Sequence, residues 1–397
     1  MKTPIDPVTE PVGLPAEPAP DSRPALAPAL LAHHGDVEAR GMLDLAVNVA
    51  VEEPPEFVRT AVHAAVGELA AYPDAGPTTA HLADHLGVDP DRVLLTNGAA
   101  EAFHLIARAA RWQRPVVVHP QFTEPDTALA AAGLQPAWHV LAGPQFTFDA
   151  GEFDAAHTEA DLVVIGNPTN PTSRLHPAAD LLRLRRPGSR RLLVVDEAFM
   201  DVVPREQDTL LRHAGIGEGV MVVRSLTKTF GLAGLRAGFI VGDPAWIAAC
   251  AAVQPHWSVN HLALAAVRVC AAGAGVEHVA AVAERVARDR TYLVTRLTQL
   301  GFDVVGPAAA PFVLARHPLA AALRESLRAS GIAVRRADTF PGLGSEWLRF
   351  AVRRPEITDA LAAALTSALA DAPTATLDAR LDPSDSAATT AVSLEER

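Results

Sequence analysis

Short, continuous runs of valine, leucine and isoleucine alternate with longer helical patterns along this chain, and this alternation restricts its fold more than any other feature. A run in which every residue is apolar predicts a strand with both faces covered, as in a parallel sheet between two layers of helices. The pattern therefore predicts an α/β protein. Helical patterns separate the runs, notably at residues 99–111 and from Glu124 onwards. The predicted strands are residues 92–96, Pro115–His119, Leu162–Gly166, 191–196, Val220–Ser225 and 237–242.

A second region follows a long helical segment predicted at residues 262–301. Its strands are predicted at Phe312–Arg316, 333–336 and 347–352, which indicates a smaller C-terminal α+β domain. The 397 residues are enough for this division. We expect a disordered Pro/Ala-rich tail at 1–30, an N-terminal arm at 31–60, a large domain at 61–255, a small domain at 256–372 and a flexible tail at 373–397.

Charge and composition exclude several classes of function. The formal net charge of −12 argues against nucleic acid or an anionic membrane as a partner, because both attract clustered Lys and Arg. No apolar run reaches the ~18 residues that a transmembrane helix needs, and no signal peptide is evident, so a cytoplasmic location is expected. Cys250 and Cys270 are too few for a disulfide framework or a four-sulfur zinc site, and we expect both to be buried.

Three strings concentrate chemical side chains at or after the ends of predicted strands, where open α/β sheets place their sites. SLTKTFGLAGLRAGF, residues 225–239, places Lys228 between two hydroxyl residues, before a Gly-rich stretch and Arg236. DEAF begins with Asp196 at the end of an apolar strand, and GNPTNPT spans residues 166–172. Taken singly, a surface lysine, a capping aspartate or an Asn-Pro turn would explain each of them. Together they resemble the class I/II aminotransferase family of fold-type I pyridoxal-phosphate enzymes.

That resemblance implies a large domain with a mixed, mostly parallel sheet, and pyridoxal 5′-phosphate as cofactor. It implies that Lys228 binds the cofactor covalently through its amine, that Asp196 pairs with the ring nitrogen and that Asn170 donates to the ring oxygen. Phe122 would stack on the ring. The phosphate would be bound by Ser225, Thr227, Arg236 and the backbone amides of Gly98, Ala99 and Ala100. Tyr72 matches a tyrosine that reaches the phosphate of the neighbouring subunit, which implies a homodimer with shared active sites.

Arginines late in the chain are candidates for substrate recognition. Arg349 lies inside an otherwise apolar strand, where an unpaired charge is costly, so a substrate carboxylate or a structural salt bridge must balance it. The resemblance adds Arg335 for a substrate phosphate and Asn48 near the carboxylate, which implies a small, phosphorylated amino substrate. A metal site is the weaker alternative for His81 and His85, since HLADH lacks the Glu of a zinc protease motif. His33 and His34 also lack a predicted metal role, and we predict no metal site.

The branch of the family is the most open question. Phe199 stands where many aminotransferases, including histidinol-phosphate aminotransferases, carry a tyrosine, and Ser173 replaces the usual glycine after NPTNPT. DEAF, HWSVN at 256–260 and VRRADTFPGL at 334–343 are more similar to the threonine-phosphate decarboxylases of cobalamin synthesis. We therefore expect a decarboxylase of that type, with a histidinol-phosphate or related aminotransferase as the alternative. A non-catalytic sensor is more remote, because only about 30 Pro-rich residues precede the match.

Overall fold

The computed structural model describes residues 39–186, 188–212 and 219–371. Both predicted tails, and with them His33 and His34, lie outside the described residues. The strands form two sheets, one of seven strands and one of five. All nine strands predicted from the sequence are present, with ends within a residue or so of those expected. The predicted α/β class with a large, mostly parallel sheet is confirmed.

The seven-stranded sheet has the order β2-β8-β7-β6-β5-β3-β4. Strands β3 to β7 pair in parallel, whereas β8 is antiparallel to both of its neighbours. Strand β4 was missed by the sequence analysis because AWHV, on the sheet edge, is not a continuous apolar run. The strands are β2 Val93–Thr96, β3 Pro115–His119, β4 Ala137–Val140, β5 Leu162–Gly166, β6 Leu192–Asp196, β7 Val220–Ser225 and β8 Gly238–Gly242.

Helices cover both faces of this sheet, as the apolar strands predict. In β5, Leu162 and Val164 belong to one buried cluster, whereas Val163 and Ile165 belong to the cluster on the opposite face. Alternate side chains of a strand point to opposite faces, so a run without polar residues is needed when both faces are buried. The helices of this region are α1 Glu56–Ala65, α2 Gly76–Leu86, α3 Gly98–Arg108, α4 Glu124–Ala131, α5 Ala150–Ala156, α6 Ala178–Leu182 and α7 Pro244–Val253.

The five-stranded sheet has the order β1-β11-β12-β10-β9 and includes a strand from the predicted N-terminal arm. Strand β1, Leu43–Leu45, pairs in parallel with β11. Three residues are too few for a periodic pattern, so the sequence did not reveal this strand. The end of the predicted arm, residue 60, also falls inside α1. The other strands are β9 Asp303–Val304, β10 Phe312–Arg316, β11 Ile332–Arg336 and β12 Trp347–Ala351.

The single helical segment expected at 262–301 is wrong in one respect, because it is two helices. Helix α8, His261–Cys270, ends before α9, Gly273–Gln299, and the two axes are bent by 75°. At Gly275 a Cβ atom would lie 1.9 Å from the carbonyl oxygen of Cys270, so only glycine permits this close turn. Gly273 and Gly275 were the signals of the break. Helix α8 packs against residues of β2, β8 and α2, although it follows the domain boundary predicted at 255.

Two further helices, α10 Ala320–Ala329 and α11 Pro355–Ala370, pack on the five-stranded sheet. The helix predicted at 99–111 begins at Gly98 and ends earlier, at Arg108. Among the described helices, none is by itself long and apolar enough to cross a membrane; the bent pair α8 and α9 meets those criteria of length and composition only when taken together.

Candidate active site

A cavity of about 420 Å³ opens where the carboxyl ends of neighbouring strands β5, β6 and β7 meet. It is also lined by the N-terminal turn of α3, the segment after β1 and side chains from β11 and β12. The predicted site residues that line it are Asn48, Ala99, Ala100, Phe122, Asn170, Asp196, Ser225, Thr227, Lys228, Arg236, Arg335 and Arg349. The fold thus brings together nearly all of the candidates, from positions 48 to 349 of the chain.

Lys228 follows β7 and projects its amine into this cavity. The Nζ atom donates to Oδ1 of Asn48 at 3.1 Å, and the Lys228 carbonyl accepts from the amide of Ala50 at 2.8 Å. Burial, followed by the positive charges of Arg349 and Arg236, lowers the pKa of Lys228 to about 8, against the opposing effect of Asp196. An amine with such a pKa is partly uncharged near neutral pH, and is therefore available as a nucleophile and as a base.

Asp196 ends β6, and its side chain is partly exposed where it lines the cavity. It accepts a hydrogen bond from the amide of Ala198 at 3.0 Å. Burial raises the pKa of Asp196 to about 6, with the amide of Ala198 and the charge of Lys228 acting in the opposite direction. A carboxylate whose ionised form is penalised in this way is poised to pair with a protonated group of a ligand.

The start of α3 and the side chain of Arg236 form a cradle of hydrogen-bond donors. Gly98 has a positive φ of 79°, and a Cβ atom there would lie 2.6 Å from Nη2 of Arg236. A Cβ atom at Gly238 would lie 2.8 Å from the amide nitrogen of Ala99, so this glycine lets β8 pass directly beneath the helix N-terminus. Free N–H groups, the helix dipole and a guanidinium suit an anion such as phosphate.

The hydroxyls of Ser225 and Thr227 lie at the same end of the cavity wall. Their oxygen atoms are 2.7 Å apart, and both side chains are buried. Gly98 itself is not among the lining residues, although it lies close to the guanidinium of Arg236. The hydroxyl pair adds neutral donors to the cradle.

Arg349, on β12, is buried, and among the described residues no carboxylate forms an ion pair with it within 4.0 Å, so the structure does not support the salt-bridge alternative there. Nη1 donates to Oδ1 of Asn170 at 2.6 Å, Nη2 donates to the carbonyl of Ala46 at 2.5 Å, and Nε has no hydrogen-bond partner in the part of the chain that the structure describes. Burial lowers the pKa of Arg349 to about 9, and the charge of Arg335 acts in the same direction. Such a guanidinium calls for an anion, and a ligand carboxylate would supply it.

Arg335 lies opposite Arg349 in the pairing of β11 with β12, and both side chains reach the cavity. Nη2 of Arg335 donates to Oγ1 of Thr339 at 2.8 Å, and its guanidinium lies 5.1 Å from the ring centroid of Phe340. Counting Lys228 and Arg236, four cationic side chains line a cavity with two acidic ones, Asp196 and Glu124. The excess of positive charge favours anionic ligands.

Aromatic and polar side chains that the sequence analysis missed complete the wall. Phe199 packs edge-on against Phe312 at 5.0 Å, and Nζ of Lys228 lies 5.7 Å from the Phe199 ring centroid. No short sequence pattern marks the residues that were missed. The available signals were the positions of Thr123 and Glu124 directly after Phe122, and of Thr339 and Phe340 a few residues after Arg335. The aromatic and polar lining residues that were missed are Phe103, Thr123, Glu124, Thr339 and Phe340.

Tyr72, like Gly98, is a predicted site residue that does not line this cavity. Its side chain is 75% exposed and stacks on Trp257, with ring centroids 4.3 Å apart. His81 contacts the carbonyl of Arg268, and within the described ranges no three His, Cys, Asp or Glu side chains could hold a metal ion. Cys250 and Cys270 are buried as expected, and burial raises the pKa of the Cys250 thiol to about 12.

Comparison with known proteins points to one family. Residues 40–369 match the family model described as aminotransferase class I and II. A histidinol-phosphate aminotransferase of Mycobacterium bovis is 45% identical over 81% of this chain and 86% of its own length. A threonine-phosphate decarboxylase of Salmonella typhimurium is 30% identical over 83% of this chain and 91% of its own. The crystal structure of an L-threonine-O-3-phosphate decarboxylase from Porphyromonas gingivalis is 25% identical and superposes with a TM-score of 0.74, over 83% of this chain and 100% of its own.

Proposed function

Because this chain belongs to the class I and II aminotransferase family, which depends on pyridoxal phosphate and acts on small molecules, we propose that it transfers an amino group from a phosphorylated substrate to an oxo acid. Histidinol phosphate is the first candidate donor and 2-oxoglutarate the first candidate acceptor. The observation that carries the proposal is the set of two buried arginines, Arg335 and Arg349, in one cavity with the amine of Lys228. An enzyme of this kind must bind a phosphate on one substrate and carboxylates on the other.

The residues present fit the cofactor. The ionised form of Asp196 is destabilised by burial, and a protonated ring nitrogen beside it would offset that penalty. The N-terminus of α3, with Arg236, Ser225 and Thr227, would hold the phosphate. When bound, pyridoxal phosphate supplies an electron sink for the bond broken at the substrate Cα atom.

The protein side chains then divide the remaining tasks. Lys228 would hold the cofactor through its amine and, once released, move a proton at the substrate Cα atom. Asp196 would hold positive charge at the ring nitrogen, and Asn170 would donate to the ring oxygen while its Oδ1 orients Arg349. Arg349 would bind a carboxylate, with Arg335 beside it for phosphate and Asn48 near both. Phe122 would cover one face of the ring.

The sequence analysis placed decarboxylation of threonine phosphate first, but the 45% identity to a histidinol-phosphate aminotransferase supports the alternative better. Decarboxylation remains the second candidate because Phe199 lies beside Lys228 without a hydroxyl group, and because named threonine-phosphate decarboxylases are also relatives. The two reactions differ in which bond at Cα stands perpendicular to the cofactor ring, and thus in how the arginines orient the substrate.

The test is to incubate the purified, cofactor-loaded chain with histidinol phosphate and 2-oxoglutarate, and separately with O-phospho-L-threonine. Mass spectrometry identifies the products. Glutamate from the first mixture supports the aminotransferase. Carbon dioxide and aminopropanol phosphate from the second, without glutamate from the first, would establish the decarboxylase instead. No product from either mixture would count against both substrates.

Arg349→Ala is expected to raise the KM for glutamate in the reverse reaction by about thirtyfold or more, because a buried bidentate partner of the carboxylate is lost. Steady-state kinetics with varied glutamate measure the change. Arg316→Ala is the matched control, since Arg316 lies on β10 with its side chain 55% exposed and is not among the cavity residues. An equal KM in the two variants would remove Arg349 from the carboxylate site.

The chain is also proposed to act as a homodimer in which Tyr72 completes the site of the other subunit. Support comes from large apolar side chains that are exposed at Val66, Leu69, Tyr72 and Trp257, since exposed apolar patches are typical of interfaces. In one subunit Tyr72 stands outside the cavity, although its hydroxyl is a suitable donor to a phosphate.

Tyr72→Phe is expected to weaken cofactor binding at least about tenfold, because a hydrogen bond to a charged phosphate is lost. Titration followed by visible absorbance measures this affinity. Tyr292→Phe is the control, because Tyr292 is the other tyrosine and donates to Asp359 on the surface. Coexpressed Tyr72→Ala and Lys228→Ala chains should recover activity through mixed dimers. Recovery no greater than that of either variant alone would contradict sharing between subunits.

A further inference from the structure

Ser173 occupies an unusual position in the turn that carries Asn170. Its backbone φ of 61° lies in the left-handed region, which residues other than glycine seldom adopt, and its side chain is completely buried. The turn is closed on itself, since the amide of Ser173 donates to the carbonyl of Thr169 at 2.7 Å. Strained backbone of this kind persists where surrounding contacts hold it, and the hydroxyl group of Ser173 makes such contacts.

The hydroxyl joins this turn to the segment before β10. Oγ of Ser173 accepts from the amide of Ala310 at 2.8 Å and from the amide of Ala309 at 3.0 Å. The Ser173 carbonyl also accepts from Ala309, at 2.8 Å. Beside this contact, Arg174 donates to the carbonyl of Gly306, so the turn is held to 306–310 along its length.

These hydrogen bonds connect two segments that both contact the side chain of Arg349. Phe312 lies two residues after Ala310 in the sequence, and its ring centroid lies 5.1 Å from the guanidinium of Arg349. Asn170, three residues before Ser173, accepts from Nη1 of the same guanidinium at 2.6 Å. The guanidinium is therefore held by Asn170 and Phe312 in addition to the carbonyl of Ala46. The separation of Asn170 and Phe312 depends on how the turn is joined to Ala310.

We propose that Ser173 is a positioning residue that sets the geometry of Arg349 for binding a substrate carboxylate. The hydroxyl is a fixed acceptor for two backbone amides, so Asn170 and Phe312 hold the guanidinium in one orientation. This inference rests on the proposed role of Arg349.

Ser173→Gly tests the proposal, because glycine adopts the same φ without strain while the hydroxyl group is removed. Ser173→Ala removes the hydroxyl but keeps the Cβ atom in the left-handed backbone. The probe is glutarate, a dicarboxylate that cannot react, and its affinity for the cofactor-loaded chain is measured by calorimetry. Both variants are expected to bind glutarate about five- to tenfold more weakly than the unaltered chain, with an equal rise in the KM for glutamate and little change in kcat.

Ser330→Ala is the control, since the hydroxyl of Ser330 donates to the carbonyl of Ser326 on the surface. Unaltered glutarate affinity in both variants at position 173, with only the unfolding temperature lowered, would overturn the proposal and leave a structural role. If the unaltered chain itself fails to bind glutarate, the proposed role of Arg349 fails, and this inference fails with it. A loss of glutarate affinity in Ser173→Ala but not in Ser173→Gly would also contradict the proposal, because backbone strain rather than the missing hydroxyl group would then be responsible.

Discussion

Lys228→Ala is expected to reduce turnover by at least about a thousandfold, because it removes the one amine that is proposed both to bind the cofactor and to move the proton at Cα. The surroundings of Lys228 are suited to both tasks. Burial and two neighbouring arginines lower its pKa to about 8, and Asn48 orients the amine at 3.1 Å. The variant should also lose the visible absorbance of covalently bound cofactor while keeping its circular dichroism spectrum.

The composition of the chain makes this assignment unusually simple to check. Lys2 is the only other lysine among the 397 residues. Reduction of the loaded protein with borohydride, followed by peptide mapping, should place the cofactor on the peptide that contains Lys228. Lys2→Arg serves as the control and should keep full activity and the visible band. Cofactor found on the amino-terminal peptide instead, or a visible band retained in Lys228→Ala, would remove Lys228 from the proposed mechanism.

Asp196→Asn is expected to lower kcat by about a hundred- to a thousandfold, because a neutral amide would not hold positive charge at the ring nitrogen, the role proposed for the carboxylate. Asp201→Asn is a closely matched control. Asp201 is more buried than the partly exposed Asp196, and burial raises the pKa of Asp201 to about 6 as well, but Asp201 does not line the cavity. Comparable losses of kcat in the two variants would refute a specific electronic role for Asp196.

The same two variants should share an effect on the stability of the cofactor-free protein. Burial raises the pKa of Asp196 from 3.8 to about 6, so the folded state binds a proton more tightly than the unfolded state. The free energy of unfolding therefore falls as the pH rises from about 4 to about 6. Asp196→Asn removes that penalty and should raise the unfolding temperature above pH 6, with little difference near pH 4. Binding of the cofactor should abolish the gain in unfolding temperature of Asp196→Asn but not that of Asp201→Asn.

The sequence analysis placed site residues most accurately where each one lies next to a predicted strand in the sequence. Lys228 and the turn at Asn170 follow strands whose apolar runs are visible in the sequence, and Asp196 ends such a strand. Parallel strands bring their carboxyl ends to one edge of the sheet. The cavity at that edge contains all three. The break between α8 and α9 was missed because apolar periodicity continues across it, although its glycines were visible.

Residues distant in sequence were harder to place. Arg349 was recognised as a charge in need of a partner, but its contacts with Asn170 and Ala46 span 179 and 303 residues. The exposed position of Tyr72 and the lining role of Thr339 and Phe340 likewise depend on packing between elements. Nor does the fold distinguish the two reactions: the preference for the aminotransferase comes from similarity to a relative.

The sequence by itself determined the α/β architecture, the family and the residues at the strand ends, because each of these is encoded by residues close together in the chain. Only the tertiary structure decided that β1 joins the second sheet, that Asn48 meets Lys228 and that the hydroxyl of Ser173 holds Ala309 and Ala310. Such contacts join residues more than a hundred positions apart, and their geometry follows from how the helices and sheets pack, which no local pattern specifies.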